Sequence, residues 1–133
     1  MTSDDARARA LGLLETNFAC KTATAMGERA AETAFANEFG ALAVDHVFAA
    51  MWTRDGLDLR SRSLVTLGIL IALGASQELA IHGVVALNNG LTLTELEEVL
   101  YHSAGYAGFA RASAAREVIA ESLLFEGRIE KVG

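Results

Sequence analysis

The chain has 133 residues, enough for a single domain, and 52% of them are hydrophobic against 21% charged, which excludes a disordered chain. Seventeen acidic and eleven basic side chains give a net charge of −6 with no basic stripe, so nucleic acid is not an expected partner. The lone cysteine, Cys20, can form neither an internal disulfide nor a Cys-x-x-Cys redox pair, and a reducing cytoplasm fits it.

Met1-Thr2-Ser3-Asp4-Asp5 puts acids ahead of any apolar run, unlike a secretory leader. There is no proline and no strand-like alternation, while alanine and leucine dominate. An all-α fold is therefore predicted, a single domain over 1–133 with about six helices joined by short glycine turns. The apolar share is high for a lone small helical chain, so the surplus is expected to be buried against copies of itself as a homo-oligomer.

A first helix is predicted from Asp4 to about Phe18, with Ala10, Leu11 and Leu14 as its apolar positions. The stretch from Phe18 to Gly27 has no readable period. A long second helix is predicted from Glu28 to Met51, because Phe35, Phe39, Leu42, His46 and Ala49 recur at three- and four-residue steps. Trp52 to Leu57 breaks that pattern, and Asp58 is placed to cap a third helix, Leu59 to Leu73. That helix is apolar on nearly every side beyond Ser63, the pattern of a helix surrounded by protein. Its longest apolar run, Leu64 to Ala75, is about half of the ~20 residues that span a bilayer, so no membrane partner is expected.

Gly74 ends the third helix, and Ser76 is a candidate N-cap for a fourth, Gln77 to Asn88, closed by Asn88-Asn89-Gly90. Thr92 and Glu95 have capping-box spacing, which predicts a fifth helix to about Ser103. A sixth follows Gly105-Tyr106-Ala107-Gly108 and runs to about Phe125.

On the fourth helix Glu78 and His82 stand four residues apart, on one face and one turn from each other. Leu79, Ile81, Val84 and Val85 around them are apolar, so the pair can border a dry site and hold a proton near neutral pH. An ordinary surface ion pair would have the same spacing. Arginines 54, 60, 62 and 111 are the cations that could draw in an anion against the acidic field. Glu78 and His82 with one further histidine could be imagined as metal ligands, but no His-Glu-x-x-His pattern is present and no metal site is expected.

Trp52-Thr53-Arg54-x-Gly56-Leu57, Arg62-Ser63-Leu64, Glu78-Leu79-x-x-His82, Asn88-Asn89-Gly90-Leu91-Thr92, Glu95-x-x-Glu98-Val99-Leu100 and Tyr106-Ala107-Gly108-Phe109 follow one another in a familiar order. Over about 35–121 this pattern resembles the carboxymuconolactone decarboxylase family. The resemblance implies the helical fold shared with alkylhydroperoxidase D and a ring-shaped homo-oligomer, a hexamer or trimer. Where peroxidase-like relatives carry Cys-x-x-Cys-x-x-x-His, this chain has Ala75, Glu78 and His82, so thiol peroxidase chemistry lacks both its thiols.

The implied reaction is cofactor-free loss of carbon dioxide from γ-carboxymuconolactone or a related unsaturated lactone, as in aromatic catabolism of the β-ketoadipate type. Protonated His82 would be the proton donor, and Glu78 its orienting and pKa-raising partner. Arg62 and Arg54 would pair with substrate carboxylates, with Arg62 in a structural ion pair as the alternative. Trp52 and Tyr106 would wall the pocket, or simply pack. His46 is read as a core or interface histidine able to complete a pocket from a neighbouring subunit, and His102 as packing or surface.

The resemblance is weaker before Trp52, where Val47 to Met51 depart from the family pattern, and at Ala110-Arg111. Bulk at Phe48 or the cation at Arg111 could therefore select another substrate. Two other functions fit the same residues: isomerisation or hydrolysis of a related small ring, or a non-catalytic oligomer that binds an anionic metabolite.

Overall fold

The computed structural model describes residues 1–133 and contains helices only. Seven α-helices are present: α1 Ser3–Glu15, α2 Lys21–Ala30, α3 Phe39–Ala43, α4 Leu59–Leu73, α5 Ser76–Asn88, α6 Leu93–Ala107 and α7 Phe109–Phe125. A π-helix, Val44–Trp52, continues α3 directly. None of the helices is long and apolar enough to cross a membrane.

The second half of the chain matches its sequence closely. Asp58 accepts from the backbone N–H of Ser61 at 2.7 Å and so starts α4. Gly74 closes α4 in the left-handed region at φ 68°, which costs a residue without Cβ nothing. Thr92 and Glu95 form both bonds of the capping box at 3.0 Å each. Two boundaries differ. Ser76 is the first residue of α5 rather than its cap, since no side chain caps that end, and α6 continues to Ala107.

Helices α4 to α7 enclose the main core, built from Leu67 and Ile71 of α4, Leu79 and Val84 of α5, and Ile119 and Leu123 of α7. Each such side chain contributes about 1.5–3 kcal/mol by leaving water. Helices α5 and α7 touch through Gly83, where an added Cβ would lie 2.9 Å from Ile119 Cγ2. Ser122 of α7 donates to the Ala80 carbonyl and ties the same two helices. The expectation that α4 is surrounded by protein holds only on its inner side. Val65, Ile69 and Leu73 form an exposed row at four-residue spacing.

The first half departs from its predicted form. No continuous helix spans Glu28 to Met51: α2 ends at Ala30, turns follow, and α3 passes into the π-helix. The predicted stripe lies on the outside of the protomer, with Phe35 89% and Phe39 72% exposed. The three-to-four-residue period was therefore a true sign of an apolar face, but no element of the same chain covers that face. In the wider i→i+5 winding of the π-helix, Phe48 and Trp52 both reach the ring of Phe18.

Helix α1 lies along the π-helix, joined by Arg7–Asp45, while Arg9 reaches Asp55 at 3.5 Å. Helix α2, in the stretch with no readable period, is capped by Cys20, whose Sγ accepts from Ala23 N–H at 3.4 Å. Burial pushes the Cys20 thiol up, away from the thiolate that redox chemistry needs. Glu126 then accepts from both the backbone and the hydroxyl of Thr22, at 2.8 and 3.1 Å, fixing α2 to the end of α7.

Candidate active site

Helix α5 carries the candidate residues on the face opposite the aliphatic core. That face presents Ile81 and Val85 to a second, smaller cluster made of Phe18, Trp52, Phe48, Leu13, Leu14 and Leu59. His82 sits in the same cluster. Its ring stacks on Trp52 at 6.2 Å and 18°, and meets the edge of Phe18 at 5.9 Å and 85°. The side chain is 10% exposed, and Nδ1 is buried without a hydrogen-bond partner.

Nε2 points the other way, towards Glu78, whose nearer carboxylate oxygen is 3.8 Å off. Glu78 is 54% exposed on the first turn of α5, where a negative charge is favoured by the helix dipole. At that distance no direct hydrogen bond joins the two. Desolvation lowers the His82 pKa from 6.5 to about 4, because a charged ring in an apolar surround loses its hydration. This corrects the expectation of a histidine held protonated by Glu78: burial favours the neutral imidazole at neutral pH. Nε2 remains its one edge open to exchange.

Of the other predicted residues, Trp52 is at the site, buried and stacked on the imidazole. Arg54 lies on the outer side of Trp52, where it lines a cavity of about 460 Å³ with Arg9, Asp55 and Asp58. Arg62 is engaged structurally, though with no ion pair. Its Nε donates to the Leu57 carbonyl at 3.1 Å and its Nη2 to the Arg54 carbonyl at 3.0 Å, bracing the turn before α4.

Arg60 is paired with Glu95, and Arg111 donates to the Leu73 carbonyl at the end of α4. Tyr106 is 87% exposed on α6, tilted against His102 at 5.2 Å, and lines neither the cavity beside Trp52 nor the one between α6 and α7. His46 is exposed on the π-helix rather than buried in a core. The chain gathers no three His, Cys, Asp or Glu side chains that could hold a metal ion.

Sequence reasoning missed Phe18 and the polar chain beside it. Asn17 Nδ2 donates to Asn89 Oδ1 at 2.7 Å, and Asn89 Nδ2 donates to Ser63 Oγ at 3.0 Å, a satisfied network linking the α1 end, α5 and α4. No period marks Asn17, Phe18 and Asn89, because they lie in loops or at a helix end, while Ser63 is an interior residue of α4. A cavity of about 590 Å³, mainly apolar, lies between α6 and α7 and includes neither Glu78 nor His82.

Residues 37–121 match the model of the carboxymuconolactone decarboxylase family. The chain is 42% identical over 71 residues to 4-carboxymuconolactone decarboxylase of Acinetobacter baylyi, covering 53% of each chain. It is 42% identical over 67 residues to nitrosuccinic acid decarboxylase of Metarhizium robertsii, covering 50% of this chain and 47% of that one. The chain thus spans about half the length of the curated relatives it matches.

Proposed function

The chain belongs to the carboxymuconolactone decarboxylase family, and from that premise we propose that it is a carboxy-lyase acting on γ-carboxymuconolactone or a related carboxylated unsaturated lactone. A step in aromatic catabolism of the β-ketoadipate type is the proposed setting. The single observation carrying this reading is the buried His82, open only at Nε2 and facing the carboxylate of Glu78 one helical turn away.

The two decarboxylases it resembles are named for substrates with a common feature: a carboxylate whose bonding electrons can pass into an acceptor within the same molecule. In the lactone that acceptor is the unsaturated carbonyl. As the carbon–carboxylate bond breaks, carbon dioxide leaves and the electron pair spreads into a dienolate, so the substrate supplies its own electron sink. The protein must then hold the anion, orient it and deliver one proton to carbon.

His82 is the proposed donor, through Nε2, with Glu78 orienting that edge. The ring is neutral before substrate arrives, and an anion bound beside it favours the imidazolium. Binding therefore draws that proton onto the ring from solvent: near pH 6 proton uptake is expected, seen as buffer-dependent heats in calorimetry. Arg54 is the proposed carboxylate partner, with Trp52 as the inner wall. Arg62 holds the turn that carries Arg54.

The exposed apolar rows at Phe35 and Phe39 and at Val65, Ile69 and Leu73 support self-association, in a ring of three or six copies. In that assembly His46 and Tyr106 would reach a pocket only from a neighbouring copy. Light scattering coupled to size-exclusion chromatography tests the assembly, and a monomer at micromolar concentration removes it.

The decisive experiment follows carbon dioxide release from γ-carboxymuconolactone, with His82→Ala alongside. Turnover that falls by about 10²–10⁴-fold in the variant is expected. A folded protein that converts the lactone without releasing carbon dioxide is an isomerase or hydrolase instead, and one that only binds it is a metabolite-binding oligomer.

A further inference from the structure

The α1–α2 connection lies outside the matched segment 37–121, yet it supplies the ring at the centre of the site's apolar cluster. Phe18 is 4% exposed and makes three edge-on contacts: Phe48 at 5.0 Å, Trp52 at 4.8 Å and His82 at 5.9 Å. Two bonds hold this connection down on the end of α5. Asn17 Nδ2 donates to Asn89 Oδ1 at 2.7 Å, and Asn88 Nδ2 donates back to the Asn17 carbonyl at 2.9 Å. A third, from Phe18 N–H to the Leu13 carbonyl at 2.9 Å, fixes the bend that turns the ring inward.

We propose that residues 16–19 form a strap over the candidate active site, with Phe18 as a positioning residue that fixes the His82 imidazole and keeps water from its Nδ1 side. The inference deepens the decarboxylase reading and rests on it only for the word active, since the strap acts on His82 whatever the reaction.

The geometry leaves few other groups able to govern the ring. Glu78 is the charged side chain that faces it. From the remaining packed elements, Asp45 on the π-helix is taken by Arg7, Arg60 on α4 by Glu95, and Glu15 on α1 and His46 on the π-helix are exposed. The low pKa of His82 has desolvation as its cause, and Phe18 and Trp52 supply the two rings that exclude water. A strap from outside the matched segment can thus set the protonation of a residue inside it.

The test is an NMR titration of the full chain, following the His82 ring proton, identified by its loss in His82→Gln. Wild type is expected to titrate near pH 4. Phe18→Ala is expected to raise the midpoint by at least one unit towards 6.5, whereas Phe18→Leu, which keeps the site dry, leaves it low. Asn17→Ala, which removes the bond to Asn89 and loosens the strap without emptying the cluster, gives a smaller rise and decides the matter if Phe18→Ala does not fold.

Midpoints unchanged in both Phe18→Ala and Asn17→Ala overturn the strap, because a merely structural role moves stability and not titration. A wild-type midpoint near 6.5 overturns it as well. Raised midpoints in a protein that decarboxylates nothing support the strap and remove the decarboxylase reading alone.

Discussion

Helices α4 to α7 bury aliphatic side chains against one another, while α1, the π-helix and the strap bury rings against one face of α5. The first region is closed by caps and close helix contacts. Both leave apolar residues exposed, Val65, Ile69 and Leu73 on the first and Phe35, Phe39 and Leu42 on the second, but the second's inner surface holds a histidine with no partner for Nδ1. Helix α5 belongs to both. One face supplies stability, and the other supplies an uncompensated polar group that a purely structural interior would exclude.

The sharpest way to separate the two regions is a pair of truncations. Trp52→Ala is expected to cost about 3–5 kcal/mol in chemical denaturation and to raise the His82 midpoint, since it removes the ring stacked on the imidazole. Ile71→Ala is expected to cost about 2–5 kcal/mol and to leave that midpoint alone. If both variants shift His82 equally, the division into two regions fails.

Acid acts on the ring side through His82. Its folded pKa lies below the unfolded value, so between pH 6.5 and about 4 the unfolded chain binds more protons and stability falls as pH falls. The difference corresponds to roughly 3 kcal/mol, present above pH 6.5 and lost as pH falls to 4. Denaturation across this range is expected to carry that slope, and His82→Gln is expected to remove it. An equal slope in the variant would assign the acid sensitivity to another group.

On the aliphatic side, Gly83→Ala places a methyl 2.9 Å from Ile119 and is expected to cost about 1–3 kcal/mol through overpacking, read as a lower midpoint in urea. The smallest effect belongs to the half-exposed Arg60–Glu95 pair. Arg60→Met is expected to change stability by less than about 1 kcal/mol, and a larger loss would make that pair part of the core's cohesion.

Much of the aliphatic half was legible in the sequence. Asp58, Gly74, Thr92 and Glu95 act through bonds to residues at most five positions away, so their effect is written locally. The i,i+4 spacing likewise put Glu78 and His82 on one face. Less of the other half was legible. The stripe from Phe35 to Ala49 was read as a single helix because periodicity records which residues are apolar, not where the backbone turns or changes winding.

The sequence by itself determined the helical class, the borders of α4 to α6 within a few residues, and the Glu78–His82 pairing, all consequences of short-range bonding and repeat. Only the tertiary structure decided that Phe18 and Trp52 enclose His82, that Arg62 holds a turn, and that Tyr106 and His46 are exposed. The charge on His82 is of the same kind. It follows from how much water the ring loses, and that depends on residues 30 and 64 positions away along the chain.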